Sequence, residues 1–163
     1  MAQTLLITLV AVLAFGLPKG ALLPWPLGFG VTTFLTLVAS LCLGLFLSAA
    51  VTNSDQASKI LPPLLLPQII FAGVLFKLTG VTTALSWLTI GRWTMGAYGA
   101  LMDVNGMVPP PLDFGLFEPP PQPFDPTPVY APTWGNLLLN WGMLILHSGI
   151  YLGMATFWQR RKG

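Results

Sequence analysis

Residues 60–76, Ile-Leu-Pro-Pro-Leu-Leu-Leu-Pro-Gln-Ile-Ile-Phe-Ala-Gly-Val-Leu-Phe, are among the most apolar in the chain, yet they carry Pro62, Pro63, Pro67 and Gln68. A proline inside a helix removes its own amide and crowds the carbonyl four residues back. Pro67 therefore opens the carbonyl of Pro63, and Pro62 and Pro63 open those of Ser58 and Lys59. A bilayer tolerates open backbone groups only where protein neighbours or water satisfy them. The segment reads as a membrane helix facing a bundle interior or a cavity along part of its length. A kinked packing helix and a cavity-lining helix both fit, and Gln68 is a candidate partner for an opened group.

The remaining sequence points to the same solvent. Over 163 residues, 54% are hydrophobic, 7% are charged and the mean hydropathy is +0.74, which does not suit a water-soluble globule. Seven basic residues against five acidic ones are too even to indicate nucleic-acid binding, and Arg160, Arg161 and Lys162 read as a cytoplasmic anchor. Cys42 is the single cysteine and has no internal partner for a disulfide or a multi-cysteine metal site, so it reads as a small packing residue. Met1-Ala-Gln-Thr supplies no basic region ahead of the first apolar run, which favours a membrane helix there over a signal peptide.

A hydrocarbon core about 30 Å thick takes roughly 20 apolar residues per helix, so run length sets the architecture. The chain is expected to be an all-α polytopic membrane helix bundle. About four spanning helices are expected, over about 1–17, 28–52, 56–79 and 134–158, with a re-entrant external helical segment over 82–102. A proline-rich external loop covers 103–133 and a cytoplasmic tail 159–163. The first run is short for a span. Asn53, Ser54 or Asp55 suits the start of a new helix. The loop holds ten of the sixteen prolines and four of the five acidic residues, which implies an extended aqueous segment. Lysine and arginine counts alone favour five crossings. Against that, Arg92 in mid-membrane would cost about 2.5 to 3.5 kcal/mol without a partner, and re-entry avoids the cost.

Chemistry is sparsely represented. His147, the only histidine, lies in an apolar run with no Asp, Glu or Cys at helical spacing, and reads as a hydrogen-bonded packing residue. No G-x-x-x-x-G-K-[ST] phosphate loop occurs, so neither an enzyme nor a metal site is expected on this chain. Small residues are better ordered. Thr36, Ser40, Gly44 and Ser48 recur every four residues along one helix face, and Gly149 and Gly153 repeat the pattern later. Such faces allow close helix packing; a substrate-lining or dimer face is the alternative.

The run LGLFLSAAVTNSDQASKILPPLLLPQIIFAGVLFKL, followed by LSWLTIGRWTMGAYGALMDVN, resembles the permease domain of white-type (subfamily G) ABC exporters of the ABC type-2 permease superfamily. It is most similar to bacterial chains that fuse a phosphopeptide-binding FHA domain, an ATPase and a permease, and it covers only the C-terminal part. The resemblance implies the last four helices of one half of a homodimeric permease. Leu65, Leu66 and Ile69 would line the substrate cavity. Val74 and Leu75 would form a valve, with Pro62, Pro63, Pro67 and Gly73 as kink and hinge positions. ATP and Mg would be bound by an associated ATPase domain, fused upstream or separate, and none by this chain. The implied function is ATP-driven export of a hydrophobic or amphipathic substrate by alternating access. The setting would be the bacterial inner (plasma) membrane, with both termini cytoplasmic. The first two family helices and the ATPase motifs are missing, and the loop is proline-rich where many eukaryotic members carry cysteines. The alternative is a non-transporting membrane module: an orphan remnant, or a scaffold that binds a partner through the loop.

Overall fold

The computed structural model describes residues 1–16, 20–74, 78–108 and 126–162. Among the described residues six α-helices follow one another: α1 (Ala2–Phe15), α2 (Trp25–Ala50), α3 (Ser54–Ile70), α4 (Val81–Ser86), α5 (Ile90–Met102) and α6 (Trp134–Lys162). Short 3-10 turns occupy Val104–Met107 and Pro128–Tyr130, and no strand occurs among the described residues. The all-α expectation holds.

Helix length separates two classes. Among the described residues, α2 and α6 are the helices long and apolar enough to cross a membrane by themselves. At about 1.5 Å per residue, α1 with 14 residues and α3 with 17 rise about 21 and 26 Å, less than a hydrocarbon core of roughly 30 Å. The helix expected over 56–79 ends at Ile70, although the apolar run continues. The Phe71 amide still bonds the Pro67 carbonyl at 2.9 Å, but Gly73 takes φ +78°, a left-handed conformation that stops helical continuation. The re-entrant segment expected over 82–102 is two helices, α4 and α5. Between them the Thr89 amide and hydroxyl both return to the Ser86 carbonyl, at 3.0 and 2.8 Å. The proline-rich stretch 109–125, Leu75 to Lys77 and residues 17–19 fall outside the described residues.

The core forms where α5 packs against the directly paired α2 and α6. Ala39, Ile90, Trp93 and Leu144 make one buried cluster, and Ala97, Leu101 and Leu137 another. Eight α5 residues are buried, which makes this short helix the centre of the packing. Close approach needs a glycine at Gly96, where a Cβ would overlap the Asn140 amide of α6.

Polar side chains join the same helices. Thr33 Oγ1 and Tyr98 OH are 2.8 Å apart, Thr36 Oγ1 and Thr94 Oγ1 are 2.9 Å apart, and the Trp141 indole donates to Thr32 Oγ1 at 2.9 Å. Each threonine hydroxyl of α2 also donates to the carbonyl one turn back, so none of these three hydroxyls is stranded in an apolar surround. Near the end of α5, Asn105 and Thr127 exchange two bonds. The Asn105 amide donates to the Thr127 carbonyl at 2.8 Å, and the Thr127 amide donates to Asn105 Oδ1 at 3.0 Å.

Valine at Thr36 and Thr94, singly and together, should yield a double-mutant coupling of about 0.6 kcal/mol in unfolding by denaturing detergent. A coupling of zero would show that this hydroxyl pair does not join α2 to α5.

Candidate functional site

A cleft of about 310 Å³ opens between α2, α3 and α5. Leu61, Leu64 and Leu65 form the α3 wall, Thr36, Ser40 and Gly44 the α2 wall, and Thr94 and Met95 part of the floor. The walls follow from helical periodicity, since residues three and four apart share a face. On α2 the four-residue recurrence of small side chains leaves room. Nothing lies within 4 Å of where a Cβ on Gly44 would stand, so the space these residues leave belongs to the cleft rather than to a neighbouring helix.

The α3 wall is attached at its C-terminal end by one polar device. Gln68 Oε1 accepts the Ile90 amide at 2.8 Å and the Gly91 amide at 3.3 Å. These are the first amides of α5, whose N-cap residue Thr89 directs its hydroxyl to Ser86 instead. Gln68 thus caps a helix that follows its own by about twenty residues. It does not turn toward the carbonyls opened by the prolines of α3. Gly91 completes the contact, because a Cβ there would overlap the Gln68 carbonyl. The N-terminal end of α3 is capped locally. Asn53 Oδ1 accepts the Gln56 amide at 2.8 Å, and Gln56 Oε1 accepts the Thr52 amide at 3.1 Å.

The candidates singled out from the sequence are distributed unevenly around this cleft. Leu65 lies on it, whereas Leu66 and Ile69 are 57% and 59% exposed and belong to the outer side of α3. Pro62, Pro63 and Pro67 all stand inside α3, which carries no buried residue. Val74 lines a separate cavity of about 290 Å³ with Met95, Tyr98, Met102 and Tyr130, and Leu75 is outside the described residues. The Gly73 carbonyl accepts the Tyr130 hydroxyl at 3.3 Å. Thr36 serves both packing and cleft; Ser40 and Gly44 serve the cleft; Ser48 is exposed and outside it. Gly149 and Gly153 have open space around them. His147 Nδ1 lies 2.8 Å from the Met143 carbonyl and its ring packs near Tyr151, a structural arrangement.

Sequence reading passed over Gln68 as a cap and Tyr98, Thr94 and Trp141 as partners of the α2 threonines. A signal for the latter exists. Thr33 and Thr36 sit three apart on α2, Thr94 and Tyr98 sit four apart on α5, and antiparallel pairing matches the two intervals.

A family model described as ABC-2 type transporter matches residues 1–103. An ABC transporter ATP-binding/permease protein of Mycobacterium tuberculosis is 30% identical over 169 aligned positions, which cover 98% of this chain. The chain spans 18% of the length of that relative. No solved structure matches the chain.

Gln68→Leu should raise amide hydrogen exchange at Ile90 and Gly91 about tenfold, as expected when a cap worth about 1 to 1.5 kcal/mol is lost. Unchanged exchange at both amides would show that the glutamine does not hold the start of α5.

Proposed function

The chain belongs to the ABC-2 type transporter family, and from that premise we propose that it supplies part of the membrane-spanning half of an ATP-driven exporter. Its cargo is hydrophobic or amphipathic, and the apolar cleft between α2, α3 and α5 is the part of the cargo path that this chain contributes. The observation that carries the reading is the state of α3. This helix holds three internal prolines, buries none of its residues and exposes Leu61, Leu65, Leu66 and Ile69, while α2 turns small residues toward it across the cleft. A helix so loosely attached can shift against the α2–α5–α6 core at small cost, which alternating access requires.

The motor is an ATPase domain that binds ATP and Mg, fused to this segment or supplied separately; the relative of which the chain matches 18% is named for both an ATP-binding and a permease part. A second copy faces the exposed side of α3 and closes the path along a two-fold axis. Val74 and Leu75, after the Gly73 hinge, form the valve. Both termini are cytoplasmic in the plasma membrane, the proline-rich segment lies outside, and α4 and α5 re-enter without crossing.

Filling the cleft tests this reading directly. In inside-out vesicles containing the complete transporter, Leu65→Trp should lower ATP-dependent uptake of lipophilic dyes at least about tenfold, with membrane insertion unchanged. Undiminished uptake would remove the cleft from the cargo path. Single cysteines at Ser54 and Gln122 should react with an impermeant maleimide from opposite sides of the membrane. Labelling from one side would overturn the four-crossing topology.

A further inference from the structure

Gln68 borders the cleft as well as α5, and its two polar atoms are not equivalent. The Ile90 and Gly91 amides can only donate, so the atom they meet is Oε1 and the side-chain amide is fixed in one orientation. Its donor side, Nε2, is left over. Among the described residues no protein acceptor takes either hydrogen, and the nitrogen keeps accessible surface, unlike the sealed, unpartnered atoms elsewhere in the bundle. Gln68 lines the cleft and not the neighbouring cavity around Val74.

The other polar groups of the cleft divide into spent and free donors. Thr36 gives its hydroxyl hydrogen to the Thr32 carbonyl, so Thr94 is the donor in their 2.9 Å contact and neither has a hydrogen left. Ser40 is exposed on the α2 wall, and among the described residues no protein group bonds its hydroxyl. The remaining lining is leucine, isoleucine, methionine and glycine, with no charged side chain. The cleft therefore has hydrogens to give and no charge to offer. An alkyl chain laid over Nε2 would strand a donor, and a carboxylate or phosphate would enter without a counter-charge. A carbonyl oxygen on an otherwise apolar molecule avoids both penalties. Because Oε1 is already held by two bonds, the donor is oriented before the ligand arrives, which lowers the cost of the bond. A few placed polar groups in an apolar lining are what fix the orientation of a bound molecule and reject analogues that lack the matching atom.

We infer that the cleft binds an uncharged, largely apolar molecule through a ketone, ester or amide oxygen, which accepts from Gln68 Nε2 with the Ser40 hydroxyl as second donor. As cargo selection, this rests on the exporter reading; as binding, it does not.

The test uses the complete natural polypeptide in phosphatidylcholine nanodiscs without nucleotide. A diazirine-bearing alkyl ketone is crosslinked by light, and its attachment to α2, α3 and α5 is quantified by mass spectrometry. Competitors of matched size are compared by their mole fraction in the bilayer: methyl undecyl ketone, the branched alkane with a methyl group in place of the ketone oxygen, and dodecanoate. The ketone should displace the label at about tenfold lower mole fraction than the alkane or dodecanoate. Gln68→Glu, assayed where the carboxylate is ionised, keeps an acceptor for the Ile90 and Gly91 amides but carries no donor. It should bring ketone and alkane within about twofold of each other, and Ser40→Ala should reduce the preference about threefold. Equal competition by ketone and alkane in the unaltered protein would overturn the inference, which keeps the test decisive if Gln68→Glu fails to fold. A ketone preference that survives Gln68→Glu would overturn the assigned donor, and dodecanoate competing as well as the ketone would overturn the uncharged class. A Gln68-dependent preference, with dye uptake undiminished in Leu65→Trp, would defeat the cargo-path reading alone. Uptake lost in Leu65→Trp, with no ketone preference, would defeat this inference alone.

Discussion

A helix that begins against other helices leaves its first amides without intrahelical acceptors, and something must meet them. At the start of α5 that acceptor is the side-chain oxygen of Gln68, which reaches across from α3 to the Ile90 and Gly91 amides. The rest of the arrangement depends on this. α5 adds buried side chains to the directly paired α2 and α6, so a frayed first turn would loosen Ile90 and Trp93 in the same core cluster as Ala39 and Leu144. Among the described residues, the one polar side-chain tie of α3 to the bundle is therefore also a tie at a densely packed element. Motion of the loosely attached helix is felt by the centre without passing through any large interface.

That economy explains the contrast between the two halves of the architecture. α2, α5 and α6 share apolar clusters, a row of hydroxyl bonds and a glycine-permitted close approach. α3 has a side-chain cap at its start, the Gln68 tie to α5 near its end and leucines along its length that bury nothing fully. Side chains that pack tightly resist displacement, since interiors are dense and respond to small changes. A helix held at its ends can bend or tilt between them, and its internal prolines lower the cost by removing backbone bonds that bending would break.

What the sequence disclosed follows from how each signal works. α2 and α6 were legible because unbroken apolar length is a property of the chain alone, and the start of α3 was legible because Asn53 caps locally. The end of α3 was not. Phe71 to Val74 continue the apolar run, and only the left-handed backbone of Gly73, a conformation rather than a composition, ends the helix. The break between α4 and α5 was hidden for a related reason: Ser86 and Thr89 close a turn with bonds that ordinary helical threonines and serines also make. At the site, Leu65 borders the cleft and Leu66, about 100° further round the same helix, faces away from it, a direction that apolar composition does not set. Gln68 was read as a candidate partner for the carbonyls opened in its own helix, which it does not meet. Its acceptor role toward residues twenty positions later depends on tertiary placement, which periodicity does not encode.

The reciprocal bonds between Asn105 and Thr127 bring together two points of the chain that bracket the proline-rich stretch. Once such a base is closed, the free energy of closing the intervening chain grows only with the logarithm of its length, about 0.6 kcal/mol for each doubling. The closure cost of the chain between them is thus nearly independent of its length. A change of length there alters that cost little, which makes this a position where a reporter or affinity tag can be spliced in at a small cost in closure free energy.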